Sequence, residues 1–368
     1  MRIAFVSFRL AEFDGVSVET SKWRRVLGEM GCPSKTVGGA GPVDHLLPGL
    51  DIGATEAPTV GEVTGALDDA DVVVVENLCS LPLNPAAAGV VATALKGRPA
   101  ILHHHDLPWQ RERFASVAGF PPRDPAWRHV TINHLSSRQL ADRGIRATTV
   151  PNCFDTEVAP GDRLASRRAL GVAAGTRLLL HPTRAIARKN IPAALCLAQG
   201  LGATYWLLGP AEDGYGPALE EALATARVPV VRGAPSGVSV ADAYAACDAV
   251  VLSSTWEGFG NATVESAVHR RPLAIGTYPV AAEIAASGFR WFAADDSAAL
   301  ARWLDRPDAG LLDANQAIAR RHYSLATLRA RLEALLDGWQ PSGRADLSGA
   351  GAGAPTVALG ERGVVPTR

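Results

Sequence analysis

Two glutamates with seven residues between them, a pair of cations in one loop and a run of three histidines are the groups best placed to do chemistry in this 368-residue sequence. The glutamates lie in Ser253-Ser254-Thr255-Trp256-Glu257-Gly258-Phe259-Gly260-Asn261-Ala262-Thr263-Val264-Glu265. There a strand ends, a glycine loop through Gly260 follows, and a helix begins at about Asn261, which puts Glu265 in its second turn. The bare N–H groups of Asn261, Ala262 and Thr263 would face an anion such as a phosphate. A carboxylate accepts two hydroxyl hydrogen bonds, so Glu257 and Glu265 could hold the hydroxyls of a sugar and a ribose on either side of that anion. The plainer alternative is a capped helix carrying a solvated glutamate.

The cations follow a strand ending at His181, in Pro182-Thr183-Arg184-Ala185-Ile186-Ala187-Arg188-Lys189-Asn190. Arg184 supplies a fork and Lys189 a point charge, together suited to a diphosphate. A solvated charged loop has the same spacing. His103, His104, His105 and Asp106 end the fourth strand of the first half. Strand alternation puts His103 and His105 on one face and His104 on the other, so the three do not converge on one metal, and none is expected. His105 or Asp106 reaches the carboxyl-end rim where parallel sheets bind ligands. Beyond it, Trp109, Arg111 and Arg113, with Trp127 further on, form an aromatic and cationic surface for a sugar ring, a phosphorylated acid or a lipid headgroup. They would serve equally as core and rim. After the first strand no G-x-G-x-x-G occurs, and Asp14-Gly15-Val16-Ser17 opens a helix. Gly15 would let a ligand approach the backbone, while alone the segment reads as a strand-to-helix turn capped by Asp14 or Ser17.

These groups need a scaffold that brings strand ends to one rim. Ile3–Phe8, 71–76, 100–105, 129–133 and 148–150 are strand candidates, with helices at 18–30, 85–95 and 136–143. The runs lack polar alternation, as in parallel strands covered on both faces. After the turn-rich segment 151–160 the alternation resumes, with strands at 178–181, 205–208, 228–231, 249–253, 273–275 and 291–293. The pattern predicts an α/β chain of two Rossmann-like domains facing across a cleft. A helix over 324–339 carries Leu325, Leu328, Leu332 and Leu335 at helical spacing. Gly, Ala and Pro make up 14 of the last 29 residues, so 340–368 is expected to be disordered.

With 36 basic and 37 acidic residues, bulk charge does not suit non-specific nucleic-acid binding. Lysines stand only at 22, 35, 96 and 189, which draws attention to Lys189. Five scattered cysteines make neither a disulfide framework nor a zinc site. Neither a leader pattern nor a run of about 18 apolar residues is present, so the expected location is the cytoplasm.

Over residues 1–339 the chain resembles the family-four (group 1) glycosyltransferases of the GT-B fold. Glu257-x7-Glu265 resembles their E-x7-E signature, and Arg184-x4-Lys189 their diphosphate-binding pair. Pro151-Asn152-Cys153-Phe154-Asp155 is similar to their interdomain P-N-G-x-D, and Tyr244, Cys247, Asp248 and Ser253 to the approach to the glutamates. The resemblance implies a first, acceptor domain over 1–155, a nucleotide-sugar domain over 156–322, and a helix over 323–339 crossing back to the first. It further implies a retaining hexosyl transfer from a UDP- or GDP-linked sugar to an acceptor hydroxyl, without cofactor or obligatory metal. Arg184 and Lys189 would hold the diphosphate, Glu265 the ribose, Glu257 the transferred sugar, and His105 would stand at the reacting centre. Gly15 would lie beneath the phosphates, and Asp14, Trp109 and Arg111 would meet a small-molecule, glycan or lipid-linked acceptor, with a peripheral membrane contact open. Departures are Asp14-Gly15-Val16-Ser17 in place of paired glycines, Cys153 for Gly, and Asn190 for the Gly after the lysine. A GT-B sugar-nucleotide epimerase and a non-catalytic nucleotide-sugar-binding protein are the rivals. An epimerase would need no acceptor, and a binding protein would show no turnover.

Overall fold

Hydrophobic runs that read as buried strands become two all-parallel sheets. The structure, a computed structural model, describes residues 1–10 and 14–339; the expected disordered tail at 340–368 lies outside the described residues. The first half comprises β1 (Ile3–Ser7), α1 (Gly15–Glu29), β2 (Ser34–Gly38), β3 (His45–Leu46), α2 (Val60–Ala66), β4 (Val72–Glu76), α3 (Pro85–Leu95), β5 (Ala100–His104), β6 (Trp127–Thr131), α4 (His134–Ala141) and β7 (Ala147–Thr149). The second comprises α5 (Arg163–Ala169), β8 (Leu178–His181), α6 (Ile191–Leu201), β9 (Thr204–Leu207), α7 (Gly216–Ala224), β10 (Val230–Arg232), α8 (Val240–Ala246), β11 (Ala249–Leu252), α9 (Ala262–Val268), β12 (Leu273–Ile275), α10 (Pro279–Ala285), β13 (Phe292–Ala293), α11 (Ser297–Asp305) and α12 (Ala309–Tyr323). Then α13 (Leu325–Leu336) follows. The histidines therefore end the fifth strand, not the fourth.

The strand orders are β3-β2-β1-β4-β5-β6-β7 and β10-β9-β8-β11-β12-β13. Each order reverses once, between β1 and β4 and between β8 and β11, leaving a crevice at the carboxyl ends of those strands. Period-two alternation fills both faces of the first sheet. Ala4, Val6, Val73 and Val75 pack with α2 and α3, whereas Ile3, Phe5, Val72 and Val74 pack with α1. Leu328, Leu332, Leu335 and Leu336 of α13 complete that second layer, so the last helix belongs to the core of the first sheet.

The chain crosses between the sheets twice, and the crossings touch. The Phe154 N–H donates to the Tyr323 carbonyl at 2.7 Å, and the Leu325 N–H to the Phe154 carbonyl at 3.1 Å. On the facing rims, Glu283 of α10 accepts from the N–H groups of His134 and Leu135 at 2.7 and 2.9 Å, capping α4 of the other half. Asn133 donates to the Gly258 carbonyl at 2.6 Å, and Asn152 to the Asn261 side chain at 2.9 Å.

Candidate functional site

The crevice of the second sheet is built from two loops stitched together. One follows β8 and carries Arg184, Arg188 and Lys189; the other follows β11 and carries Ser253 to Gly260. Ser253 Oγ donates to the carbonyls of Lys189 and Asn190 at 2.9 and 3.0 Å, and the Thr255 N–H to that of Arg188 at 2.9 Å. Asn190 takes the left-handed conformation at φ 51°, which brings the chain into α6 directly after Lys189.

Glu257 is the hub. Its carboxylate accepts from Arg188 and Ser254 at 2.5 Å each and is ion-paired to Lys189. Burial opposes its charge, but Lys189 and Arg188 overcome this and hold the carboxyl down at about 2. Burial lowers the Lys189 ammonium, with Glu257 opposing it. Two cations on one carboxylate leave a local excess of one positive charge at the rim. The Tyr278 hydroxyl is buried nearby without a hydrogen-bond partner among the described residues, and a β-carbon on Gly260, at φ +88°, would stand 2.6 Å from it.

The structure places several of these residues differently from a simple reading of spacing. Arg184 lies near enough to Lys189 to act on its charge but pairs with Glu212 at 2.6 Å, both more than one-third exposed, while Arg188 joins Lys189 on Glu257. The helix starts at Ala262, so Glu265 falls in its first turn rather than its second. The Thr263 N–H donates to the Gly260 carbonyl at 2.9 Å and does not face a ligand; those of Asn261 and Ala262 have no protein acceptor among the described residues. Glu265 accepts from the Tyr244 hydroxyl at 2.8 Å through one oxygen. Burial raises its pKa, with Lys22 of α1 and Tyr244 opposing.

Across the rim, β4 and β5 end in a second buried cluster. His105 Nε2 is 2.8 Å from Glu76 Oε2, and His103 Nδ1 lies 3.0 Å from the same oxygen without hydrogen-bond alignment. His103 stacks on Trp23 at 4.4 Å. Glu76, His103 and His105 each offer a ligand atom, all within 4.8 Å of one another. The 2.8 Å contact is shorter than the roughly 3.3 Å ligand–ligand edge of a tetrahedral zinc site with bonds near 2.05 Å. In this arrangement the two groups make an acid–imidazole hydrogen bond. His104 points to the opposite face, between Ser80 at 2.6 Å and His129 at 2.9 Å.

The acceptor-side expectations meet mixed surroundings. Asp14 caps α1, its Oδ1 accepting from the N–H groups of Val16 and Ser17 at 3.0 Å each and its Oδ2 from the Ser17 hydroxyl at 2.5 Å, so its carboxylate is committed to the helix. A β-carbon on Gly15 would meet nothing within 4 Å, leaving that backbone approachable. Trp109 donates to Gln139 at 2.9 Å and lies under Arg143, and Arg111 pairs with Asp106 at 2.9 Å. Trp127 is core, donating to the Leu95 carbonyl at 3.1 Å. Sequence reasoning left Glu76, Arg188, Glu212 and Ser254 unassigned. For Glu76 the available signal was a charge closing an otherwise all-valine strand.

No protein-family profile matches this chain. It is 25% identical to the mannosylglucosylglycerate synthase of Petrotoga mobilis, over 78% of this chain and 85% of that protein. It is 30% identical to the mannosylglucosylglycerate synthase of Thermotoga maritima, over 52% of this chain and 55% of that one. A structure of Anabaena HepE in complex with UDP and glucose superposes with a TM-score of 0.67 at 18% identity, covering 91% of this chain and 99% of HepE. The chain has the GT-B fold. Two parallel sheets with facing crevices are the defining layout of that fold, and this chain fills each crevice with a buried carboxylate cluster. No helix among its described residues is long and apolar enough to cross a membrane.

Proposed function

We propose that this protein is a glycosyltransferase that moves a hexose, with retention of anomeric configuration, from a UDP- or GDP-linked donor to a hydroxyl of a small acceptor. The observation that carries the reading is the excess positive charge of Arg188 and Lys189 over Glu257, buried at the switch point of the second sheet. A diphosphate placed there is neutralised by groups already held in position, which lowers the cost of charge developing on the departing nucleotide. Glu265 has one oxygen left for ribose hydroxyls, and Arg184 reaches the diphosphate by leaving Glu212. His105, on the opposite rim, faces the transferred sugar. In the transfer the sugar C1–O bond to the diphosphate breaks, a bond from C1 to the acceptor oxygen forms, and the acceptor proton passes to the leaving phosphate oxygen. These cations supply the counter-charge, so neither metal nor cofactor is needed.

The relatives are mannosylglucosylglycerate synthases, and from that name we carry over a small acidic glycoside as acceptor class. Arg111, on the first-domain rim beside Asp106 and with a buried Nε that has no partner among the described residues, is the cation for it.

A thermal-shift panel of UDP-, GDP- and ADP-sugars, GDP-mannose included, selects the donor, because a ligand of the native state raises its melting temperature. Turnover with small acidic glycosides follows, with the anomer read by NMR and with chelator present. Nucleotide release insensitive to chelator, with retained configuration, supports the proposal. Inverted product refutes retention, epimerised sugar without acceptor favours an epimerase, and binding without turnover favours a sensor.

A further inference from the structure

Glu76 ends β4 at the point where the first sheet reverses its strand order, and its side chain is fully buried. Burial this deep is costly for a carboxylate unless it is paired. The pairing comes from two imidazoles on one oxygen, His105 hydrogen-bonded through Nε2 at 2.8 Å and His103 at 3.0 Å by charge, while among the described residues Glu76 Oε1 has no partner. Its other imidazole neighbour, His103, is held by the Trp23 stack and makes no aligned hydrogen bond.

We propose that Glu76 is the positioning residue of His105: it grips the ring through Nε2–H and leaves Nδ1 to address the transferred sugar. This rests on the reading of His105 as the histidine at the reacting centre. The backbone is fixed from another side, since the N–H groups of His105 and Asp106 both donate to Asn77 Oδ1, at 3.2 and 3.3 Å. Among the described residues Nδ1 has no hydrogen-bond partner.

The charge state follows from what surrounds the ring. Facing it are Glu19 from α1, Glu76 from β4, and His103 and Asp106 from its own strand and the loop after it, while His104 is turned to the opposite face. The second domain contributes Gly258, which brings no charge. Burial, the largest influence, favours the neutral ring; the hydrogen bond and charge of Glu76, backed by Glu19 and Asp106, outweigh it and raise the pKa of His105. A charged ring donates from both nitrogens, so Nδ1–H becomes a fixed donor toward a sugar hydroxyl. Activity should then fall as pH rises through the His105 midpoint.

Nitrogen-15 NMR of histidine-labelled protein tests this without substrate, the His105 signals being assigned by their loss in His105→Asn. In the wild type we expect a midpoint above the ordinary histidine value and, on the alkaline side, the proton kept on Nε2. A neutral ring protonated on Nδ1 would overturn the proposal. In Glu76→Gln, which keeps shape and removes charge, proton affinity should drop at least about tenfold, and the alkaline limb of kcat/KM should move down by the same interval. Glu76→Asp, which restores the charge, should recover part of the shift. An unmoved midpoint in folded Glu76→Gln sinks the assignment even if transferase activity is confirmed. Conversely, a shifted midpoint in a protein without transferase activity supports the Glu76–His105 coupling and removes only its proposed catalytic use.

Discussion

A β-carbon on Gly258 would stand 2.7 Å from the carbonyl oxygen of His105, so the two domains meet here backbone to backbone. Gly258→Ala should therefore hold the rims apart. We expect kcat/KM to fall about tenfold or more, in line with the steep cost of small misplacements at a reacting centre. The melting temperature should stay within a few degrees of wild type, because the clash is with one carbonyl at the rim and Ile132 stands at an ordinary 3.5 Å. Steady-state kinetics and small-angle scattering with donor check this, and an unaltered rate would show that closure to this distance is not required.

The Glu257 cluster predicts an order of damage. Glu257→Gln leaves the buried Lys189 and the half-buried Arg188 without their counter-charge and should cost about 3–5 kcal/mol. Lys189→Met leaves Arg188 still paired with Glu257 and should cost less, about 1–3 kcal/mol. Urea unfolding measures both. A nucleoside diphosphate should rescue Glu257→Gln more than wild type, by replacing the missing negative charge. The reverse order would place the centre of the cluster elsewhere.

Glu212 competes with a bound diphosphate for Arg184. Because that pair is more than one-third exposed, Glu212→Gln should change stability by less than about 1 kcal/mol. Freed of its partner, Arg184 should tighten nucleotide binding a few-fold by calorimetry. Unchanged affinity would mean that Arg184 does not reach the nucleotide.

Acid should weaken the fold well above the carboxylate range. Burial, reinforced by Lys189, lowers His181 to about 3, and burial, reinforced by Arg123, lowers His129 to about 4. Both are neutral above the unfolded value near 6.5. Between pH 6.5 and about 4 the unfolded chain gains protons that the native state refuses, costing about 1.4 kcal/mol per pH unit for each histidine. His105 has the opposite sign, its contribution being present below 6.5 and lost as pH rises through its raised value. Glu76 and Glu257, both near 2, contribute above 4.5 and fade only as pH falls toward 2. Urea midpoints against pH should slope accordingly, and His181→Gln should flatten the curve.

The sheets were legible where strands are buried on both faces, because β1, β4, β8 and β11 leave unbroken apolar runs. Strand β2, reading Ser-Lys-Thr-Val-Gly, and the two-residue β3 lack that signature, and α2 carries two glycines in seven residues. Their place comes from neighbouring strands, which a local pattern does not contain. At the site, the loop carrying Lys189 and the glutamate pair could be read from residue type and spacing. The choice between Arg184 and Arg188 could not, since it depends on Glu212, 28 residues from Arg184. Glu76 and His105 are separated by the helix α3 and the strand β5, and only the sheet register brings them together.

Residues 325–336 supply a layer of the core that begins with Ile3 and Phe5. During synthesis from the amino end, the first sheet is made early yet keeps an open apolar seam while residues 156–324 are added. At 5–20 residues per second that delay is on the order of ten to thirty seconds. The second sheet has all its strands before the seam can close. The order of completion on the ribosome is thus the reverse of the order of synthesis, and the nascent first sheet is the stage at which a chaperone would find the most to hold.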